Sequence, residues 1–205
     1  MEAFKKLEAM AVSIQIANID TDQIIPARFL KTPRSVNHGE FLFHDMRRNS
    51  DGGLDPNFIL NDPNNKDTQI LVADANFGCG SSRESAVYAL FDGGIKCVIA
   101  PSFGDIFYNN STKNGLLPIV LERSKIEKIW HTLKTANNTH IEVSLEDQTV
   151  HLPNGTTFEF EIDPFRKQSL LEGLDDIDLT LKYNELIKNH ENAQSIERPW
   201  IVPIC

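Results

Sequence analysis

Between residues 69 and 121 short apolar runs alternate with stretches whose apolar positions recur at helical spacing. Gln69–Ala73 (QILVA) reads as a buried strand, Asn76–Ser82 as a Gly/Ser loop, and Arg83–Asp92 as a helix closed by Gly93-Gly94. Ile95–Ala100 (IKCVIA) is a second buried strand. Pro101 and Ser102 open a second helix that runs to about Asn110, and Leu116–Leu121 (LLPIVL) is a third strand. Pro118 lacks a ladder donor, which moves that third strand towards an edge or a bulge. Strand–helix–strand–helix–strand in this order predicts parallel strands with right-handed crossovers.

The flanks read differently. Met10–Ile16 alternates loosely and predicts a first strand, followed by a polar turn over Asn18–Asp22. Ser124–Thr135 predicts a further helix. Ile141–Leu145, Thr149–Leu152 and Thr157–Ile162 then read as hairpin strands, with Asn154-Gly155 a strong turn signal. Pro164–Glu172 and Leu179–Asn189 predict closing helices. Mixed strand directions with helices predict an α/β or α+β domain in layers, and residues 1–205 read as one domain.

Residues 28–67 break every period: Pro33, Gly39, Gly52, Gly53, Pro56 and Pro63 punctuate a stretch rich in Asn. A segment of this length is functional or disordered in a compact domain. The islands Phe41–Phe43 and Phe58–Leu60 predict that parts of it pack down, and residues 28–48 are expected to form a lid ordered only with substrate or partner.

Charge and cysteines narrow the chemistry. Twenty Lys and Arg against 29 Asp and Glu give a formal net charge of −9, which argues against nucleic-acid or acidic-membrane binding. It leaves room for a small anionic substrate in a locally positive pocket. No apolar run approaches the roughly 20 residues of a membrane span. The early acid in Met-Glu-Ala-Phe-Lys-Lys argues against a signal peptide, so a cytoplasmic location is expected. Cys79, Cys97 and Cys205 are scattered, an odd set that fits reduced thiols better than a disulfide frame. They are too few and too far apart for an iron–sulfur cluster, so this chain is expected to bind no cofactor and no metal itself.

Asn76-Phe77-Gly78-Cys79-Gly80-Ser81-Ser82-Arg83-Glu84 carries the most chemistry. It leaves a predicted strand and enters a predicted helix, where free amides and the helix dipole favour an anion. Two glycines permit close backbone approach. Arg83 can clamp a carboxylate through two parallel hydrogen bonds. The segment is not a Walker loop, a dinucleotide fingerprint or a nucleophile elbow. No histidine lies nearby in sequence to activate a serine. Read alone, the loop is equally compatible with an ordinary helix cap and a surface arginine. Asp20 and Asp22 read as a turn with capping side chains rather than a metal pair. Cys79 reads as a small packing residue, Phe103, Phe107 and Tyr108 as core, and the acids at 175–178 as a solvated turn and helix cap. Trp200 suits packing on a partner or on its own domain equally.

The same segment, with Ile99–Asn109 (IAPSFGDIFYN) and Lys113–Pro118 (KNGLLP), resembles the small-subunit type of the aconitase superfamily, in particular its isopropylmalate isomerase branch. Asp20–Pro26 (DTDQIIP), Phe58–Asn61, Asp163–Lys167 (DPFRK) and Leu170–Leu181 extend the resemblance over nearly the whole chain in order. It implies a three-layer β/β/α swivelling domain that closes over a 4Fe–4S cluster held by a separate large subunit. It also implies a hydro-lyase of leucine biosynthesis, active only with that partner, on a small hydroxy-diacid. Ser81 would be the base that moves the carbon-bound proton, and Ser82 and Arg83 would hold substrate oxygens. The region of Phe29, Leu30 and Lys31 would read the variable part of the substrate. Phe29 and Leu30 suit a branched alkyl group, whereas Lys31 would face solvent or meet a third carboxylate. Related hydratases acting on homoaconitate, citraconate or dimethylmalate, and a non-catalytic anion-binding module, are the alternatives. Ser85 stands where the family usually has His, and Ser111-Thr112 where it has Cys-Phe.

Overall fold

The computed structural model describes residues 1–80, 83–136, 138–198 and 200. Strand β1 (Lys6–Ile14) is the pivot of the sheet, because its two halves serve different partners. Ala11–Ile14 run parallel to β2 (Ile70–Ala73), whereas Lys6–Met10 run antiparallel to His140–Ser144. The parallel half continues through β3 (Cys97–Ala100) to β4 (Leu117–Val120). The antiparallel half is β5 (His140–Ser144), β6 (Thr149–His151) and β7 (Thr157–Glu159). The result is one seven-stranded mixed sheet in the order β4-β3-β2-β1-β5-β6-β7. Pro118 lies on β4, an edge strand, as its missing donor requires.

Side chains alternate across the parallel strands and supply two cores. Ile70, Val72, Cys97 and Ile99 share one cluster with Ile141, Val143, Val150 and Phe158 of the antiparallel half and with Ile126 and Ile129 of the helix over Arg123–Thr135. The sheet therefore folds over on itself around a common apolar filling. Leu71, Ala73, Val98 and Ala100 share the other cluster with helix residues Ala86, Val87, Leu90 and Phe107. The layers are thus antiparallel sheet, parallel sheet and helices, the expected α/β arrangement of β/β/α type. Each fully buried Ile or Leu contributes about 1.5–3 kcal/mol relative to exposure.

Helix α1 (Thr21–Ile24) follows β1, and α2 (Glu84–Asp92) and α3 (Asp105–Lys113) form the crossovers. Helix α4 spans Arg123–Thr135, and α5 (Pro164–Glu172) ends at Gly173, whose φ of +68° closes the turn. Three boundaries differ from expectation. Strand β1 starts at Lys6, four residues before Met10, because its first half, with Lys6 and Glu8 exposed, pairs with β5, and Lys6 bonds Glu142 at 2.7 Å. Helix α3 starts at Asp105, since Ser102–Gly104 are used to brace a neighbouring loop. The last predicted helix is two, α6 (Asp176–Leu181) and α7 (Asn184–Glu197), broken at Lys182-Tyr183. Asp175 caps α6 in a box with Asp178, in line with the capping role read from the acids there.

Residues 28–67 do not hang free. Short 3-10 turns at Ala27–Phe29, His38–Phe41, Ile59–Asn61 and Pro63–Asn65 fold the segment onto α2, and Leu42 and Phe43 are buried in the helical-side core. Both apolar islands pack, Phe43 against Phe58 at 5.8 Å between ring centroids. The exposed residues of the expected lid are Arg28, Leu30, Lys31, Pro33–Asn37, Glu40 and Asp45.

Candidate active site

The glycine loop sits at the carboxyl end of the parallel strands, the edge where open α/β sheets place ligands. Three backbones build it. Gly78 N donates to Ile19 O at 2.7 Å and Thr21 N to Cys79 O at 3.0 Å, which ties the loop to the turn after β1. On the other side Phe77 N donates to Ser102 O at 3.1 Å and Gly104 N to Phe77 O at 2.9 Å. Asn76 reinforces both: its backbone N–H donates to Ser102 Oγ at 2.8 Å, and its Nδ2 to Asn18 Oδ1 at 2.9 Å. Gly78 has a φ of +72°, and a Cβ there would run into the Phe107 ring, so only glycine fits. Gly80, at φ +93°, turns the chain towards α2 with more room around it.

Ser81 and Ser82, expected as base and substrate ligand, lie outside the described residues. Arg83 caps α2 with an extended backbone, and its side chain is only 16% exposed. Its Nη1 donates to Asp22 Oδ1, and that guanidinium holds the Asp22 carboxyl below its ordinary value. Glu84 accepts from Asn114 Nδ2 at 2.8 Å. Three stretches far apart in sequence, DTDQIIP, the glycine loop and KNGLLP, thus meet at the start of one helix, where the amides ahead of the helical ladder point outward and Ala86 N turns back to Arg83 O at 3.1 Å. Ser85 stands in that first turn. The Ser111 and Thr112 hydroxyls donate back to Phe107 O at 2.8 Å and Asn109 O at 3.0 Å, so both departures at those positions are satisfied within α3.

The second group lies one turn away. Ala27 N donates to Asp22 Oδ1 at 3.1 Å, which places the Ala27–Phe29 turn beside Arg83. Phe29 is half-buried and stacked on Phe41, with ring centroids 4.3 Å apart, so much of its ring is committed to holding the segment. Leu30 and Lys31 are exposed. Arg28 grips Asp45 with both terminal nitrogens and depresses that carboxyl further, with help from His44. Two contacts were not foreseen from the sequence: the bond of Asp22, set aside as a turn acid, to Arg83, and the Glu84–Asn114 pair. Asp20 alone caps α1, accepting from Gln23 N at 2.7 Å. That leaves the second acid of the turn free for other work, which is the signal available in the sequence.

The described residues do not suit a resident metal: no three His, Cys, Asp or Glu side chains among them are grouped to hold an ion. Cys97 lies fully buried between strands, where burial pushes its thiol up. Cys79 donates weakly to Asn18 O at 3.6 Å, a packing role. Cys205 lies outside the described residues. Phe103 and Phe107 stack against each other beside Phe77, and Phe107 is core. Trp200 is 78% exposed and is not packed among the described residues. No described helix is long and apolar enough to cross a membrane.

Known proteins resemble this chain along nearly its whole length. A family model for the aconitase C-terminal domain matches residues 1–124, and a LeuD_N model matches residues 127–164. A curated 3-isopropylmalate dehydratase small subunit from Azorhizobium caulinodans is 48% identical over 98% of this chain and 100% of that protein. One from Dinoroseobacter shibae is 49% identical with the same coverage. The chain belongs to the 3-isopropylmalate dehydratase small-subunit family. The family's fold is matched too: a crystal structure of 3-isopropylmalate dehydratase from Methanocaldococcus jannaschii superposes with a TM-score of 0.62 at 28% identity, covering 91% of this chain and 99% of that one.

Proposed function

We propose that this chain is the small subunit of a two-subunit hydro-lyase of leucine biosynthesis, which interconverts 2-isopropylmalate and 3-isopropylmalate by dehydration and rehydration. The observation that carries the reading is the full-length match to small subunits of that name, with the glycine loop and Arg83 assembled at one sheet edge. The Lewis-acid work on the substrate hydroxyl belongs to a 4Fe–4S cluster on the large subunit. This chain supplies the proton transfer and the carboxylate grip.

Ser81 takes the carbon-bound proton beside a carboxylate. That proton is weakly acidic, so the base must be an alkoxide, and an alkoxide survives only where aligned amides and a cation hold its charge. The start of α2 and the Arg83 guanidinium supply both. Arg83 and Ser82 hold substrate oxygens, and Phe29 and Leu30 line the side that receives the isopropyl group. Lys31, which is exposed, lies towards solvent. Homoaconitate-type substrates would need Lys31 turned inward to meet a third carboxylate.

The test is anaerobic reconstitution with a cluster-loaded large subunit and assay against several hydroxy-diacids. Each subunit alone should be inactive and the mixture active on 2- and 3-isopropylmalate. Ser81→Ala should assemble normally and lose at least about 10³-fold in turnover, as for a group acting at the reacting atom. Near-normal turnover in that variant removes Ser81 from the base role.

A further inference from the structure

We propose that Asp22 is a positioning residue for this reaction: it aims the Arg83 guanidinium and couples it to the segment carrying Phe29 and Leu30. The proposal rests on the reading of Arg83 as the carboxylate clamp. One oxygen, Asp22 Oδ1, accepts from Arg83 Nη1 and from Ala27 N at 3.1 Å. Asp22 is not spent on capping, because Asp20 does that. The cation is the sheltered member of the pair, at 16% side-chain exposure against 53% for Asp22. Among the described residues the guanidinium bonds Asp22 through Nη1, which leaves the Nε–Nη2 edge as a fork matched to a carboxylate.

That arrangement has two consequences. Asp22 fixes the rotation of the guanidinium without occupying the edge that would face a substrate. It also makes Arg83 and Ala27 move together. Leu30 N donates to Ala27 O at 3.1 Å, so the first turn of the substrate-reading segment is built directly on the residue that Asp22 holds. Discrimination of the alkyl group then depends on a carboxylate that touches no alkyl group.

The experiment uses the reconstituted enzyme with D22N, D22A, R83A and D22N/R83A, assayed on 3-isopropylmalate and its analogue carrying methyl in place of isopropyl. D22N removes the charge but keeps an oxygen for Ala27. It should raise KM about tenfold, with kcat falling far less. D22A also cuts the Ala27 link and should reduce the preference for isopropyl over methyl by about fivefold or more. In the R83A background D22N should add nothing. An unchanged KM in D22N overturns the proposal, as does a D22N loss of equal size with and without Arg83. R83A with normal kinetics sinks the clamp reading itself, and the Asp22 proposal with it. If D22A fails to assemble, D22N and its cycle with R83A decide alone.

Discussion

Two segments flank the turn that carries Asp22, and they are held by opposite means. The glycine loop, residues 76–80, is fixed by backbone hydrogen bonds to the turn after β1 and to Ser102–Gly104, with Phe107 against its glycine. The segment from Ala27 to Phe43 is fixed chiefly by side chains: the Arg28–Asp45 and Arg34–Asp92 pairs, the Phe29–Phe41 stack and buried His38 and Phe43. A backbone-pinned loop holds its geometry whatever the neighbouring side chains are, which suits the group that must meet the reacting atom. A side-chain-pinned segment can be re-cut by single substitutions, which suits a specificity element. On the proposed roles, chemistry and selectivity rest on different kinds of support.

The sharpest way to break the rigid side is Gly78→Ala. The left-handed φ of +72° and the Phe107 ring both oppose a methyl group. Strain and overpacking together should cost about 3–5 kcal/mol. Thermal unfolding should show it as a large drop in Tm, and turnover should fall with it. Gly80→Ala, whose added Cβ would meet Asp20 and Thr21 only at ordinary van der Waals distance, should cost less, about 1–2 kcal/mol of backbone strain. Equal losses at the two glycines would mean that Phe107 does not define the loop.

Arg83 probes the joint between the segments. A bidentate charge-assisted contact in a partly dry site is worth about 2–4 kcal/mol on truncation, so Arg83→Ala should lose that much in kcat/KM. Arg83→Lys should fail nearly as badly, because lysine keeps the charge and loses the planar fork. Most of the loss belongs in KM. A Lys variant with normal kinetics would show that the fork is not used, and the carboxylate site would move elsewhere. If Arg83 were only a helix cap, either change would cost under about 0.5 kcal/mol of stability and leave kinetics alone.

The same division explains what the sequence made legible. The parallel strands are buried on both faces, so QILVA and IKCVIA stand out as apolar runs. The loop between strand and helix carries its glycines where φ is positive, and the fold class follows from this order. The first half of β1 escaped because Lys6 and Glu8 face outward beside a distant strand, and nothing local marks Glu142 as the partner. The folding-down of residues 28–67 was visible only as two apolar islands, since its ties are pairs such as Arg34–Asp92, 58 residues apart. Arg83 at a helix start was legible as a place where a clamp would fit. Asp22, 61 residues away, was not, because the pairing exists only in three dimensions.

The smallest expected effect sharpens the soft side. Asp92, at the end of α2, accepts from Arg34 at 2.7 and 3.0 Å and from His38 N at 2.9 Å, which latches the 28–48 segment to the helix. Burial by itself would raise this carboxyl; the Arg34 fork and the His38 amide outweigh it and leave it below its ordinary value of 3.8. A carboxyl depressed in the folded state stabilises above its unfolded value and loses that contribution as pH falls through the folded one. The latch should therefore be intact at neutral pH and weaken below about pH 4. Asp92→Asn keeps an acceptor for His38 N and loses the charge on Arg34, which is half exposed and screened, so the cost should be about 1 kcal/mol. That loss should appear locally, as faster hydrogen exchange at Leu42 and Phe43, while the amides of β2 and β3 keep their protection. The difference between wild type and variant should shrink as the pH falls far enough for the native carboxyl, held below its ordinary value, to protonate. Equal exchange at pH 7 would mean that the aromatic stack and the buried Phe43 hold the segment by themselves, and that its charged ties serve another purpose.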